Sequence, residues 1–229
     1  MSTMKLEKIT KKSRRYEDAC GTAHALDLIG ERWALLVIRE LILGPRRFGD
    51  LRADLPGLSA NVLTQRLEGL EAAGIVRRRK LAPPASVQVY ELTEWGREAE
   101  PIVLHMGRWG ARSPLQDPNY PLSAVSMMLS LRAMFDPGKA DGVDVTIAFR
   151  CGDGAYWVNV RGGVLRGERG EVPDADVTLA GDPSAITGMI YGLRSLPELE
   201  REGIVTVSGD RDALARFATI FELPPKACS

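Results

Sequence analysis

Asn61, Thr64 and Gln65 fall within little more than one turn of a helical pattern, and the run Arg77, Arg78, Arg79 and Lys80 follows close behind. Asn and Gln carry the paired donor and acceptor that match an adenine edge in a major groove. A run of guanidinium and ammonium groups instead meets phosphate oxygens, which position a protein on a duplex without reading its sequence. Catalytic chemistry finds much less. His24 and His105 lie alone on helical stretches, and Cys20, Cys151 and Cys228 are too widely spaced for a disulfide framework or a zinc site. The carboxylates of the second half (Asp153, Asp174, Asp176, Asp182 and Asp210) sit at turns, where capping accounts for them. GDGAYWVNVRGG is glycine-rich, but it lies between two strand patterns and not before a helix, so it makes no phosphate cradle. These residues point to a binding protein with no catalytic centre, metal or cofactor.

The elements that must position the polar residues are legible around them. Residues 19–30 and 31–43 read as helices, the second ending at Gly44-Pro45. A short helix over 48–55 is broken by Pro56-Gly57, and Ser59 then caps the next helix, which runs to Gly74. Leu63, Leu67 and Leu70 share that helix's inner face, leaving Asn61, Thr64, Gln65 and Glu68 outside. Two helices joined by a tight turn, the second presenting a polar face, make the helix-turn-helix plan. IVRRRKLAPPASVQVYELT follows as a basic strand, a Pro-containing tip and an alternating strand, a β-hairpin wing. The predicted DNA-facing set is Ser59, Asn61, Thr64, Gln65 and Arg66 on the helix, with Arg46, Arg47, Arg77, Arg78, Arg79 and Lys80 at phosphates.

The chain of 229 residues has no net charge, 45% hydrophobic residues and 26% charged ones, the balance of a soluble globular protein. Its neutrality is a sum of opposites. Residues 1–116 hold 19 Lys and Arg against 14 Asp and Glu, while residues 117–229 hold 11 against 16. The Pro-rich stretch RSPLQDPNYPL, 112–122, lies at that switch and predicts two domains, 1–116 and 117–229. KLEKITKKSRR at the N-terminus is a basic arm, either touching a nucleic-acid backbone or simply solvated. No apolar run is long enough to span a bilayer or to serve as a secretory signal, so a cytoplasmic protein with no membrane partner is expected.

CGTAHALDLIGERWALLVIRELILGPRRFGDLRADLPGLSANVLTQRLEGLEAAGIVRRR and YELTEWGREAEPIVLHMGRWG resemble the HxlR family of bacterial winged helix-turn-helix transcription regulators, over about residues 16–112. The resemblance implies a homodimer on a palindromic operator, with residues 94–110 and the first helix at the interface. Ile102, Val103, Met106 and Trp109 do form an apolar stripe, which serves either that interface or the chain's own core. In some members of the family a cysteine six residues before the LDLIG leucine senses electrophiles or oxidants. Cys20 has that spacing, but Gly21 stands where a proline usually follows. The reading is of an inert, partly buried thiol. The alternative is a redox-sensing regulator acting through Cys20, with a purely structural C-terminal dimerisation domain.

Beyond Pro121, a methionine-rich helix over 122–135 leads into alternating strand patterns around Val143–Phe149 and AYWVNVRG, then VLRGERG and DVTLAG. Asp182-Pro183 opens a helix, IVTVSG is a last strand, and Asp210 caps a final helix. The predicted class is α+β: a winged helix-turn-helix followed by an antiparallel sheet covered by helices on one face. ADVTLAGDPSAITGMIYGL and EREGIVTVSGDRDALARF resemble the lipid-binding domain of sterol carrier proteins, over about 122–222. That likeness implies an apolar tunnel inside the shell, lined by Met127, Met128, Leu131, Phe135, Trp157, Met189, Ile190, Leu193, Phe217 and Phe221, although the same stripe would also make a solid core. The sequence as a whole predicts a non-enzymatic, DNA-binding regulator whose C-terminal domain binds an apolar effector.

Overall fold

The computed structural model describes residues 16–82 and 85–227. The basic arm, the tip prolines Pro83 and Pro84, and Cys228 fall outside them. The first half runs α1 (Gly21–Ile29), α2 (Ala34–Leu41), α3 (Phe48–Asp54), α4 (Ala60–Ala72), β1 (Val76–Lys80), β2 (Gln88–Leu92), α5 (Glu94–Arg97) and α6 (Glu100–Gly110). The helix expected over 31–43 starts only at Ala34, because Trp33 adopts a left-handed φ of 79° that no helix can include. Val37, Ile38 and Leu41 of α2 are buried with Leu63, Leu67 and Leu70 of α4, which fixes α4 by its inner face. The Ser59 hydroxyl accepts from the Val62 amide at 3.3 Å, and Gly74 takes the left-handed φ of 73° that ends the helix. β1 and β2 pair antiparallel from Val76–Leu92 to Lys80–Gln88, forming the wing.

The second half runs α7 (Ala124–Met134), a 3₁₀ turn (Pro137–Lys139), β3 (Val145–Cys151), β4 (Gly154–Arg161), β5 (Val164–Arg169), β6 (Val177–Gly181), α8 (Pro183–Ile190), α9 (Leu196–Arg201), β7 (Val205–Gly209) and α10 (Arg211–Thr219). The five strands lie in the order β5-β4-β3-β6-β7. The sheet is mixed, not antiparallel as expected: β6 runs parallel to β3. Residues 170–176 carry the chain from one edge to the far side of β3, so β6 keeps its neighbour's direction. Asp176 fixes this arrival, because its carboxylate accepts from the Thr146 amide at 2.7 Å and its own amide donates to the Thr146 carbonyl at 2.9 Å. Ile147, Phe149, Val158, Val160, Val177 and Leu179 are fully buried on the face against the helices, while Trp157, Asn159 and Thr178 lie on the other face, only partly covered.

The Gly-Asp pairs 181–182 and 209–210 have one structural cause. Asp182 caps α8 through the Ala185 amide at 2.9 Å, and Asp210 caps α10 through Asp212 and Ala213 at 2.8 and 3.0 Å. The preceding glycines have φ of 150° and 99°, and a Cβ on Gly209 would run into the Asp176 carbonyl oxygen. Gly209→Ala combines left-handed strain with a backbone clash, so it is expected to destabilise the fold by about 3 kcal/mol. Urea unfolding of the variant measures this, and a loss below about 1 kcal/mol would contradict it.

The halves pack through α6 and α2 against α7. Arg108 of α6 donates to the Ala133 carbonyl at 3.0 Å, and Arg132 of α7 pairs with Glu100. The C-terminal segment returns to the end of α6, where the Ala227 amide donates to the Arg112 carbonyl at 2.8 Å. Lys226 donates there to the carbonyls of Ala111 and Ser113.

Candidate nucleic-acid interface and interdomain cavity

The predicted reading face exists as an exposed surface. Ser59, Asn61, Thr64 and Gln65 are exposed along α4, opposite the buried leucines. Thr64 is the least free of the four: its hydroxyl bonds back to the Ala60 carbonyl at 3.0 Å. Arg66 is held inward, donating to the Arg32 carbonyl at 2.9 Å and pairing with Glu31 at 3.0 Å, so it ties α4 to the α1–α2 turn.

The basic residues are held in four different ways. Arg47 and Lys80 are exposed, and no ion pair to either occurs among the described residues. Arg78 is exposed and rests on Glu71 at 2.8 Å. Arg77 and Arg79, alternate residues of β1, converge on Glu91 at 2.8 and 2.9 Å. Burial acts to raise the Glu91 pKa, but hydrogen bonds from the two guanidiniums and their charges outweigh it and hold the carboxyl below its ordinary range. Arg46 is different again. Its backbone exchanges hydrogen bonds with Tyr90 at 2.9 and 2.8 Å, and its side chain, largely buried, pairs with Asp54. It fastens the wing to α3.

A cavity of about 560 Å³ lies between the halves, where the sequence offered no site. Leu35, Leu36 and Arg39 of α2 form one wall and Val103, Leu104 and Met106 of α6 another. Opposite are Ser126, Leu129, Ser130 and Ala133 of α7, with Thr187 and Tyr191 at the end of α8. Of the ten residues expected to line a tunnel, Leu193 alone lines this space. Met127, Met128, Leu131, Met189, Ile190, Phe217 and Phe221 are packed into the core between helices and sheet. Phe135 packs against that core, and strand alternation turns Trp157 to the opposite face of the sheet. Residues 127, 128 and 131 occupy one side of α7, and 126, 129, 130 and 133 the other. The signal that this second side is also covered was present, because an α7 apolar nearly all round is a helix buried on both sides.

The family model for HxlR-like helix-turn-helix proteins matches residues 28–117. HTH-type transcriptional regulator sll1512 of Synechocystis sp., itself uncharacterized, is 42% identical over 93 residues, which are 40% of this chain and 68% of that one. Bacillus subtilis YybR, of the same description, is 38% identical over 94 residues, 41% of this chain and 75% of that one. The chain belongs to the HxlR-like helix-turn-helix family of transcriptional regulators. Its second half, residues 122–227, matches the alkyl sulfatase C-terminal family. Among solved structures, the redox regulator HypR in its oxidized form is 40% identical over 40% of this chain and 94% of its own, with a TM-score of 0.38. The inverting sec-alkylsulfatase Pisa1 from Pseudomonas sp. is 26% identical over 46% of this chain but only 16% of that one, with a TM-score of 0.39. No helix among the described residues is long and apolar enough to cross a membrane.

One charged group in this HxlR-like regulator sits where the two halves meet. Glu40 of α2 is fully buried, accepting from Arg39 at 2.9 and 2.7 Å and from the Ser123 hydroxyl, the cap of α7, at 2.8 Å. Its second oxygen has no partner, and burial raises its pKa against the opposing pull of Arg39 and Ser123. Cys20 is exposed, contrary to the partly buried placement expected, because it precedes α1 and is not part of its packed face. No cap hydrogen bond forms at normal length, but the amides of Thr22 and Ala23 and the Thr22 hydroxyl lie near enough to hold its thiol below the ordinary range.

Proposed function

We propose that this regulator binds a palindromic double-stranded operator as a homodimer, reading bases through Asn61, Gln65 and Thr64 of α4. In this reading Arg47, Arg78 and Lys80 hold phosphates, with Arg77 and Arg79 available beside them once they part from Glu91. The observation that carries it is the exposed polar edge of α4 beside the basic strand β1, both fixed by one buried leucine face. Leu26 of α1 and Ile102, Met106 and Trp109 of α6 are exposed apolar residues in the elements assigned to the dimer. An apolar small molecule binding one dimer geometry better than another would shift operator occupancy. The interior of the second half's sheet-and-helix shell is filled, so a tunnel of the sterol-carrier kind has no part in this reading.

Gel shifts on the promoter beside the chain's own gene test the DNA reading. Counterion release requires affinity to fall by orders of magnitude between about 50 and 200 mM salt if six or more phosphates are contacted. No shift at low salt, or a shift indifferent to salt, overturns it.

A further inference from the structure

We infer that the cavity between the halves binds an uncharged, largely apolar molecule carrying a single hydroxyl or carbonyl group. This deepens the regulatory reading above, on which it rests, by placing the effector site at the domain junction and giving the effector a chemical class.

Size and lining set the first limit. About 560 Å³ falls within the range of small-molecule sites, and its walls are mainly aliphatic, with Leu35, Leu36, Val103, Leu129 and Ala133 facing inward. Charge sets the second. Arg39 is the one cation in the lining, and two of its donors are spent on Glu40. Asp117, the one lining carboxylate, accepts from the amide and side chain of Asn119 at 2.9 Å each. An anion here would meet a cation already paired with the buried Glu40, and a cation would meet a carboxylate already bonded by Asn119. A charged ligand would lose its hydration for little return, so the site favours a neutral one.

The third limit is polar. The hydroxyls of Ser130 and Tyr191 are 2.6 Å apart on the wall, one from α7 and one from the end of α8. One hydrogen lies between them, which leaves the other hydroxyl hydrogen and the remaining lone pairs for a ligand. Burial raises the Tyr191 pKa, so the pair stays neutral. It can donate to a carbonyl, or exchange hydrogen bonds with a hydroxyl, and either fixes the head of an otherwise apolar molecule.

The walls also give the route to DNA. Leu35 and Leu36 face the cavity from α2, while Val37, Ile38 and Leu41 of that helix are buried in the core that holds α4. A ligand filling the space ties α2 and α6 to α7, and so biases where α4 stands relative to the rest of the chain.

Isothermal titration of the full chain with 1-decanol, decanoate and decyltrimethylammonium tests this. Decanol is expected to bind at least about tenfold tighter than either ion. Tyr191→Phe should weaken decanol binding about fivefold, the size of one lost hydrogen bond. It should lower the melting temperature by no more than a few degrees, because its bond to Ser130 goes with it. Ala133→Trp, which fills the cavity, should abolish it. Equal binding of the charged analogues, no decanol binding up to its solubility, or unchanged binding in both variants overturns the inference. The same samples are titrated with operator DNA. Decanol that binds in this pattern without altering DNA affinity supports the site and removes the regulatory reading, so the two fail separately.

Discussion

The triple variant Arg47→Ala, Arg78→Ala and Lys80→Ala is expected to bind duplex DNA about a hundredfold more weakly at low salt. Its dependence on salt should also be shallower, by about 0.9 in log–log slope for each contact removed, or close to 3 in all. Among the exposed basic side chains of the wing strand and the start of α3, these are the ones not tied to the buried Glu91. Arg47 and Lys80 have no ion pair among the described residues, and Arg78 leans only on Glu71, a pair of small net worth. The variant should therefore lose DNA affinity and keep its stability. Arg46→Ala should do the opposite. Its guanidinium is paired with Asp54 beneath the wing, so its loss lowers the melting temperature while the salt slope stays that of the parent. Fluorescence anisotropy with a labelled duplex, run at several salt concentrations beside thermal melts, separates the two. Equal slopes in the parent and the triple variant would remove Arg47, Arg78 and Lys80 from the phosphate contacts. A shallower slope for Arg46→Ala would restore Arg46 to them.

That contrast marks the limit of reading this chain from its residues. The reading helix was legible because everything that defines it is local: a serine cap, leucines four and three apart, and a terminal glycine at φ 73°. Arg46 and Arg47 look alike in sequence and part company only through Asp54 and Tyr90, one of them distant in the chain. The direction of β6 was hidden for the same reason, since each strand pattern fixes its own faces but not which neighbour it meets. The cavity lies on the less conspicuous side of a helix that is apolar on two sides: Met127 and Met128 face the core, whereas the space lies on the face bearing Ser126, Leu129 and Ser130. Glu40 had a readable sign: three residues after Val37, it shares the buried arc of an otherwise apolar helix. An acid there must meet something, and Ser123 is 83 residues further along.

Glu40→Gln is expected to make the protein more stable at neutral pH, by about 1 to 2 kcal/mol, because it removes a buried charge with an unpartnered oxygen and keeps an acceptor for Arg39 and Ser123. The pH dependence follows from the direction of the shift. The folded-state pKa of Glu40 is raised above that of the unfolded chain, so in the window between the two the folded state binds more protons. This group's contribution is then most favourable below the ordinary carboxylate range, and stability falls as pH rises through that window toward the raised folded value. The glutamine variant cannot titrate and should lose this fall, so the two stability curves separate as pH increases. Glu40→Ala should have the opposite sign at neutral pH, costing about 2 to 3 kcal/mol, because it strips the α7 cap Ser123 of its acceptor and leaves a void beside Arg39. Urea unfolding of the three proteins from acid to neutral pH decides the matter. A glutamine variant less stable than the parent at neutral pH would mean that the ionised Glu40, held by Arg39 and Ser123, joins the two halves more strongly than its burial opposes.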